Sequence, residues 1–160
     1  ASNPEPGGYL PSYHEMVRAL NAQAHAASAL PFVITERRNG SRPAIAGQLT
    51  VSGIVWGSAM TATLGYWVDQ ARAGRGIAPA AVALATDHCF GKLGLHRMEI
   101  NIRPENAASL SVVRKLGFRD EGMRKSYLHI AGSWADHRTF ALTVDEVPDG
   151  LLGRWLASRR

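Results

Sequence analysis

The feature that most constrains this chain is Ala73-Gly74-Arg75-Gly76-Ile77-Ala78, set between an extended apolar stretch and a long helical one. Residues 60–68 are rich in β-branched and aromatic side chains and predict a strand. Residues 77–90 carry Ala, Leu and Val with no internal Gly and predict a helix, with Pro79 in the first turn, where a missing N–H costs little. A strand, a glycine turn and a helix opening at that turn make an anion cradle. The unpaired N–H groups of the first helical turn point outward, and the helix dipole adds positive charge. Phosphate is the expected ligand class. A P-loop is excluded, because Ile77-Ala78 stand where Lys-Ser or Lys-Thr would follow the last glycine. A dinucleotide fingerprint fits poorly: its third glycine is absent, and Glu99 is out of register for the acidic residue expected about 20 positions on. A tight turn whose glycines only supply positive φ is the plain alternative.

The downstream sequence narrows the choice. Residues 95–102 alternate like a half-buried strand, Arg103-Pro104-Glu105 breaks it, and Asn106 is placed to cap a helix over 107–116 that stops at Gly117. Taken together, these stretches resemble the GNAT superfamily of acyl-CoA N-acyltransferases. Gly74-x-Gly76-Ile77-Ala78 is similar to its pyrophosphate loop. Arg103-Pro104-Glu105-Asn106-x-x-Ser109, followed by Lys115-Leu116-Gly117-Phe118, is similar to its second half in RimJ/RimL-type protein N-terminal acetyltransferases. The ordered match covers residues 64–144, about half the chain.

Composition sets the outer bounds. The 160 residues, 46% hydrophobic in the broad sense, suit one globular domain over 1–160. No apolar run approaches the roughly 18–20 residues of a membrane span, and the start shows no signal-peptide pattern. A cytoplasmic location with no membrane partner is the default expectation. The net charge of +5 is scattered, apart from Arg37-Arg38 and Arg159-Arg160, with no basic stripe interleaved with aromatics, so direct nucleic-acid binding is not expected. Part of that charge suits a cofactor bearing several phosphates. The single Cys89 reads as a small buried apolar residue rather than a reactive thiol. No paired Cys or His at ligand spacing implies a metal.

Along the chain, residues 1–11 read as a loose arm and 13–29 as a helix. Residues 32–36 and 44–55 predict strands joined by a turn at Asn39-Gly40-Ser41, the second kinked near Gly53. Residues 122–130 and 134–144 predict a closing hairpin turned at Ala131-Gly132-Ser133, and 151–156 a short helix. Family members usually begin with a further strand and helix before the helix assigned to 13–29. That N-terminal strand is therefore expected to be missing or aberrant here, which obscures the acceptor groove.

The resemblance implies an α/β (α+β) fold, with a mixed central sheet flanked by helices and a splayed parallel strand pair at 64–68 and 97–102. The splay would admit the pantetheine arm of acetyl-CoA, bonded as an extra strand by the edges of Tyr66, Trp67 and Val68. Gly74, Arg75, Gly76, Ile77 and Ala78 would offer N–H groups to the pyrophosphate, with glycine at 74 and 76 because a Cβ would hold the backbone off the phosphates. Ala73 replaces the family's usual Gln or Arg, so Arg72 or Arg75 would substitute. Many members place a Tyr seven residues after the capping Asn to protonate the departing thiolate; Val113 stands there. The RimJ/RimL-type pattern gives the donor role to Ser109, with Asn106 orienting the cofactor arm. A Glu that can precede Tyr127-Leu128 is Ser126 here. Glu99 becomes the candidate general base, with His129 and His137 as alternatives. Asp136 reads as structural, and Trp56 and Trp134 either line the acceptor groove or serve the core. The expected acceptor is a protein N-terminus, including that of a ribosomal protein, and the expected state is a monomer or homodimer. The rivals are a small-amine acetyltransferase and a noncatalytic CoA-binding module. An acidic groove would favour a polycationic small molecule, and an open one a peptide.

Overall fold

The computed structural model describes residues 12–26, 28–37 and 42–159. The arm at 1–11 and the turn at Asn39-Gly40-Ser41 lie outside these residues. Helix α1 (Tyr13–His25) opens with a capping box: the Glu15 amide donates to Ser12 Oγ, and the Ser12 amide donates to the Glu15 carboxylate at 2.8 Å. It stops short of residue 29 because Ala29 is already paired with Ser52 in the sheet. Strands β1 (Ala29–Glu36), β2 (Ala44–Val55) and β3 (Thr61–Val68) form an antiparallel meander. Helix α2 (Ile77–Gly91) carries the chain across to β4 (Arg97–Ile102), parallel to β3. Helix α3 (Ala107–Leu116) leads into the hairpin of β5 (Arg119–Ile130) and β6 (Ser133–Thr143), and α4 (Leu151–Ala157) follows. The six strands lie in the order β1-β2-β3-β4-β6-β5.

The kink expected near Gly53 is an irregularity in the β2–β3 register between Ser52 and Val55, with Gly53 at φ 59°. Strand β5 starts three residues earlier than its sequence suggests. Its first residues include a bulge, in which Gly122 sits at φ 105° and donates its N–H to Asp120 Oδ1. The core lies where α2, α3 and α4 cover the sheet, around the fully buried Leu49, Leu64, Leu95, Met98, Leu116, Leu142 and Leu151. Burying each such side chain contributes roughly 1.5–3 kcal/mol. Val82, Ala83, Thr86 and Cys89 turn inward from α2, and their small size lets its backbone lie close to the strands. Burial pushes the Cys89 thiol up to about 11, which keeps it protonated and inert. Among the described residues, no helix is long and apolar enough to cross a membrane.

Candidate active site

Helix α2 begins at Gly76, held at φ 80°, and no side chain caps it. Its first turn therefore presents the N–H groups of Gly76, Ile77 and Ala78 without side-chain partners. Pro79, the third helical residue, has none to offer. Such a terminus is suited to an anion. The two glycines differ in what surrounds them. A Cβ on Gly74 (φ 75°) would meet nothing within 4 Å, whereas one on Gly76 would come within 3.2 Å of Arg159 Nη1 and 3.4 Å of Trp155. The explanation expected for both, a Cβ wedged against phosphate, thus fits only the open side of Gly74. Gly76 is required by its left-handed backbone and by the packing of α4. Arg72 and Arg75, the expected substitutes for the side chain absent at Ala73, both pair with Glu36 of β1, at 2.5 and 2.7 Å. The cation that stands over the loop is Arg159, stacked 4.9 Å from the Trp155 ring. Nothing local in the sequence marks it, because α4 brings it from the far end of the chain.

Between β3 and β4 the sheet opens. Only three residue pairs join them, the last Thr63 with Glu99. Beyond this point β3 keeps β2 on one side and, among the described residues, has no strand on the other. The Asp69 amide donates to the Ala46 carbonyl at 2.8 Å, and the Trp67 carbonyl lies against Gly47, where a Cβ would be only 2.2 Å away. Backbone groups alternate along a strand. Those of Tyr66 and Val68 therefore face the gap, while Trp67, grouped with them on sequence, spends its main chain on β2 and exposes its indole.

The gap continues as a cavity of about 230 Å³ lined by Leu64, Gly65, Tyr66, Ile100, Asn101, Ile102, Arg103, Asn106, Ser109 and His137. Asn106 caps α3, its Oδ1 accepting the Ser109 amide at 3.0 Å, and this sets Ser109 on the first turn beside the slot. Burial pushes the Tyr66 phenol up, an effect the Ser109 side chain opposes. Tyr66 Oη still makes no well-formed hydrogen bond among the described residues. A buried polar atom without a partner, on a slot whose strand edge is open, fits an elongated polar ligand. Of the polar lining residues, Asn101 escaped sequence reasoning, while His137, named there as an alternative base, is brought to the slot. Asn101 is oriented by the buried Thr139, whose hydroxyl donates to Asn101 Oδ1 at 2.7 Å, and His137 is only 3% exposed. The alternation of β4 is too regular to mark Asn101.

Glu99 does not line this cavity. Its carboxylate is held at 2.9 Å by Arg97 and 3.1 Å by Arg124, in a cluster that continues to Glu121 and Arg119. His129 packs edge-on against Trp134 in the β5–β6 hairpin, 5.5 Å between ring centres, and is not part of the slot either. Asp136 accepts from Lys125 Nζ at 2.7 Å and the Ser126 amide at 2.8 Å, which together hold it below the usual carboxylate range and give it a structural post. Trp56 and Trp134 are exposed, so neither serves the core. A larger cavity of about 590 Å³, between β1 and α2, is mostly apolar and contains none of the slot residues.

A splayed parallel pair over a helix-capping Asn, with an uncapped helix at a glycine turn, defines an acyl-CoA-binding fold. Residues 6–119 match the acetyltransferase (GNAT) domain family, and the chain belongs to it. It is similar to the [ribosomal protein uS5]-alanine N-acetyltransferase of Escherichia coli, 36% identical over 110 residues that cover 69% of this chain and 55% of that protein. The structure of Mycobacterium smegmatis RimJ in complex with CoA-disulfide superposes with a TM-score of 0.86 at 37% identity, over 99% of this chain and 76% of that one. Spermidine N-acetyltransferase from Vibrio cholerae, in complex with CoA and spermine, shares the fold at a TM-score of 0.74 and 19% identity, over 88% of this chain and 80% of that one. The chain spans about half the length of the curated relatives it matches. The GNAT fold and the CoA-bound neighbours agree with the cofactor expected from the sequence, acetyl-CoA.

Proposed function

We propose that this chain transfers the acetyl group of acetyl-CoA to the α-amino group of a protein N-terminus, with ribosomal proteins as the acceptor class. One observation carries the acceptor side: the relatives at 36 and 37% identity are an alanine N-acetyltransferase of ribosomal protein uS5 and a RimJ, whereas the likeness to the spermidine enzyme, at 19% identity, is one of fold alone.

Acetyl-CoA supplies an activated acyl group on a thioester. In this reading, the N–H groups of residues 74–78 hold its pyrophosphate, with Arg159 above them. The main-chain edges of Tyr66 and Val68 align the arm, and Asn106, its Oδ1 committed to the cap, turns its amide N–H toward the same arm. Ser109 Oγ donates to the sulfur as it leaves. Ser109→Ala should then lower kcat roughly 10- to 100-fold while acetyl-CoA affinity, measured by calorimetry, stays within about twofold.

The test is acetyl-CoA-dependent CoA release with a panel of peptides bearing free N-termini, alanine-first sequences included, with products located by mass spectrometry. Acetylation at the α-amine is expected. Acetylation of spermidine with none of any peptide would overturn the acceptor, and CoA binding without turnover on any amine would overturn the transferase.

A further inference from the structure

We propose that His137 is the general base of this site, an inference that rests on the transferase reading above. Its ring lines the slot beside Ser109 and Asn101. Nδ1 lies 3.0 Å from the Ala135 carbonyl, which can only accept, so Nδ1 carries the hydrogen. In the neutral ring, Nε2 then holds the lone pair. No hydrogen-bond partner takes Nε2 among the described residues. Tyr127 fixes the plane of the ring, edge-on with centres 5.9 Å apart, and Arg124 in turn lies 4.9 Å over Tyr127. The imidazole is thus locked in tautomer and in orientation, as a positioned base must be.

The competitors on the lining are unsuited. Tyr66 is a phenol pushed up by burial, Arg103 is a cation, and Asn101 and Ser109 do not accept protons at neutral pH. Glu99 is outside the slot, between two guanidiniums. The charged or titratable groups around His137 are Tyr127 and Arg124 from β5, Asp136 beside it on β6, Tyr66 from β3, and Arg103 after β4. From α3 the slot receives only the uncharged Ser109.

The step balances as follows. The acceptor ammonium gives one proton to Nε2, which passes it to water. The freed lone pair forms the N–C bond to the acetyl carbonyl carbon. The C–S bond breaks with its electron pair on sulfur. A second nitrogen proton ends on that sulfur through Ser109 Oγ, which gives up one hydrogen and regains another.

His137→Asn keeps an N–H for the Ala135 carbonyl and removes the base. With the best peptide acceptor, kcat/KM should fall by about 100-fold or more, the ascending acid-side limb of its pH profile should vanish, and acetyl-CoA affinity should hold within about twofold. A variant within about threefold of the parent, with the limb intact, overturns the proposal. Independently of turnover and of whether the variant folds, long-range proton–nitrogen NMR of the parent should show His137 as the Nδ1–H tautomer, with an Nε2 resonance that moves when CoA fills the slot. An Nε2–H tautomer, or an Nε2 indifferent to CoA, also overturns it. A parent that binds CoA but acetylates no amine brings down the transferase reading itself, and the catalytic role of His137 with it.

Discussion

Gly74 and Gly76 share a left-handed backbone, but an added side chain would enter open space at one and α4 at the other. Position 74 is therefore the clean probe of the proposed phosphate cradle. Asp and Asn tolerate left-handed φ almost equally, so their difference isolates charge. Gly74→Asp should weaken CoA binding about tenfold more than Gly74→Asn, roughly 1.4 kcal/mol by calorimetry, with both variants folded. Equal affinities would remove the pyrophosphate from this turn. Glycine spacing was legible because it is a local demand on backbone geometry. The surroundings of Glu99 were not, because Arg124 comes from a different strand 25 residues away. Its alternation pattern places Glu99 on a face of the sheet and says nothing of what already occupies that face.

At the scale of elements, boundaries set by neighbours in sequence were the readable ones. Asn106 and Gly117 delimit α3 through a side-chain cap and a left-handed residue at φ 72°. Where the partner is distant, reading failed: α1 ends where β1 claims Ala29, and β5 begins early because Arg119 pairs with Ala141. Helix α4 was foreseen as a short helix, but its attachment was not. Asp87 of α2 accepts the amides of Leu151 at 2.6 Å and Leu152 at 3.0 Å, capping α4 from 64 residues away. Arg154 of α4 returns the favour to α3, donating to the Leu116 carbonyl at 2.5 Å. Asp87→Ala strips two part-buried N–H groups of their acceptor and should cost about 1–3 kcal/mol in urea unfolding. It should also loosen CoA binding, because Trp155 of α4 and Arg159, just beyond its end, lean on the glycine loop. Unchanged stability would mean that α4 is held by packing alone.

Across the whole molecule, the sheet is two antiparallel halves joined at three residue pairs. The β4–β6–β5 half is laced by Arg97, Glu99, Arg119, Glu121, Arg124 and Glu146. Hydrogen bonds from Arg97 first, then Arg119, hold the Glu121 carboxyl down to about 2 from its ordinary 4.5. A carboxylate depressed in the folded state stabilises fully above its unfolded value, and that contribution disappears as pH falls from about 4.5 to about 2. Melting temperature should drop over this interval, and Glu121→Gln, less stable at neutral pH, should show a shallower acid loss by calorimetry. Added salt should shrink the difference, because the cluster is partly exposed. Parallel slopes for parent and variant would assign the acid loss to other carboxylates.

The break between β3 and β4 also leaves an unpaired strand edge in the middle of a sheet, the kind of surface on which polypeptides stack into aggregates. At about 230 Å³, the cavity lined by Tyr66, Ile100, Ile102 and Ser109 offers little room for a strand that carries side chains on alternate faces. An unbranched amide chain has none. The little room in the slot thus guards the empty protein against self-association, and a substitution that widened it would be expected to show itself first as turbidity in the purified, CoA-free protein.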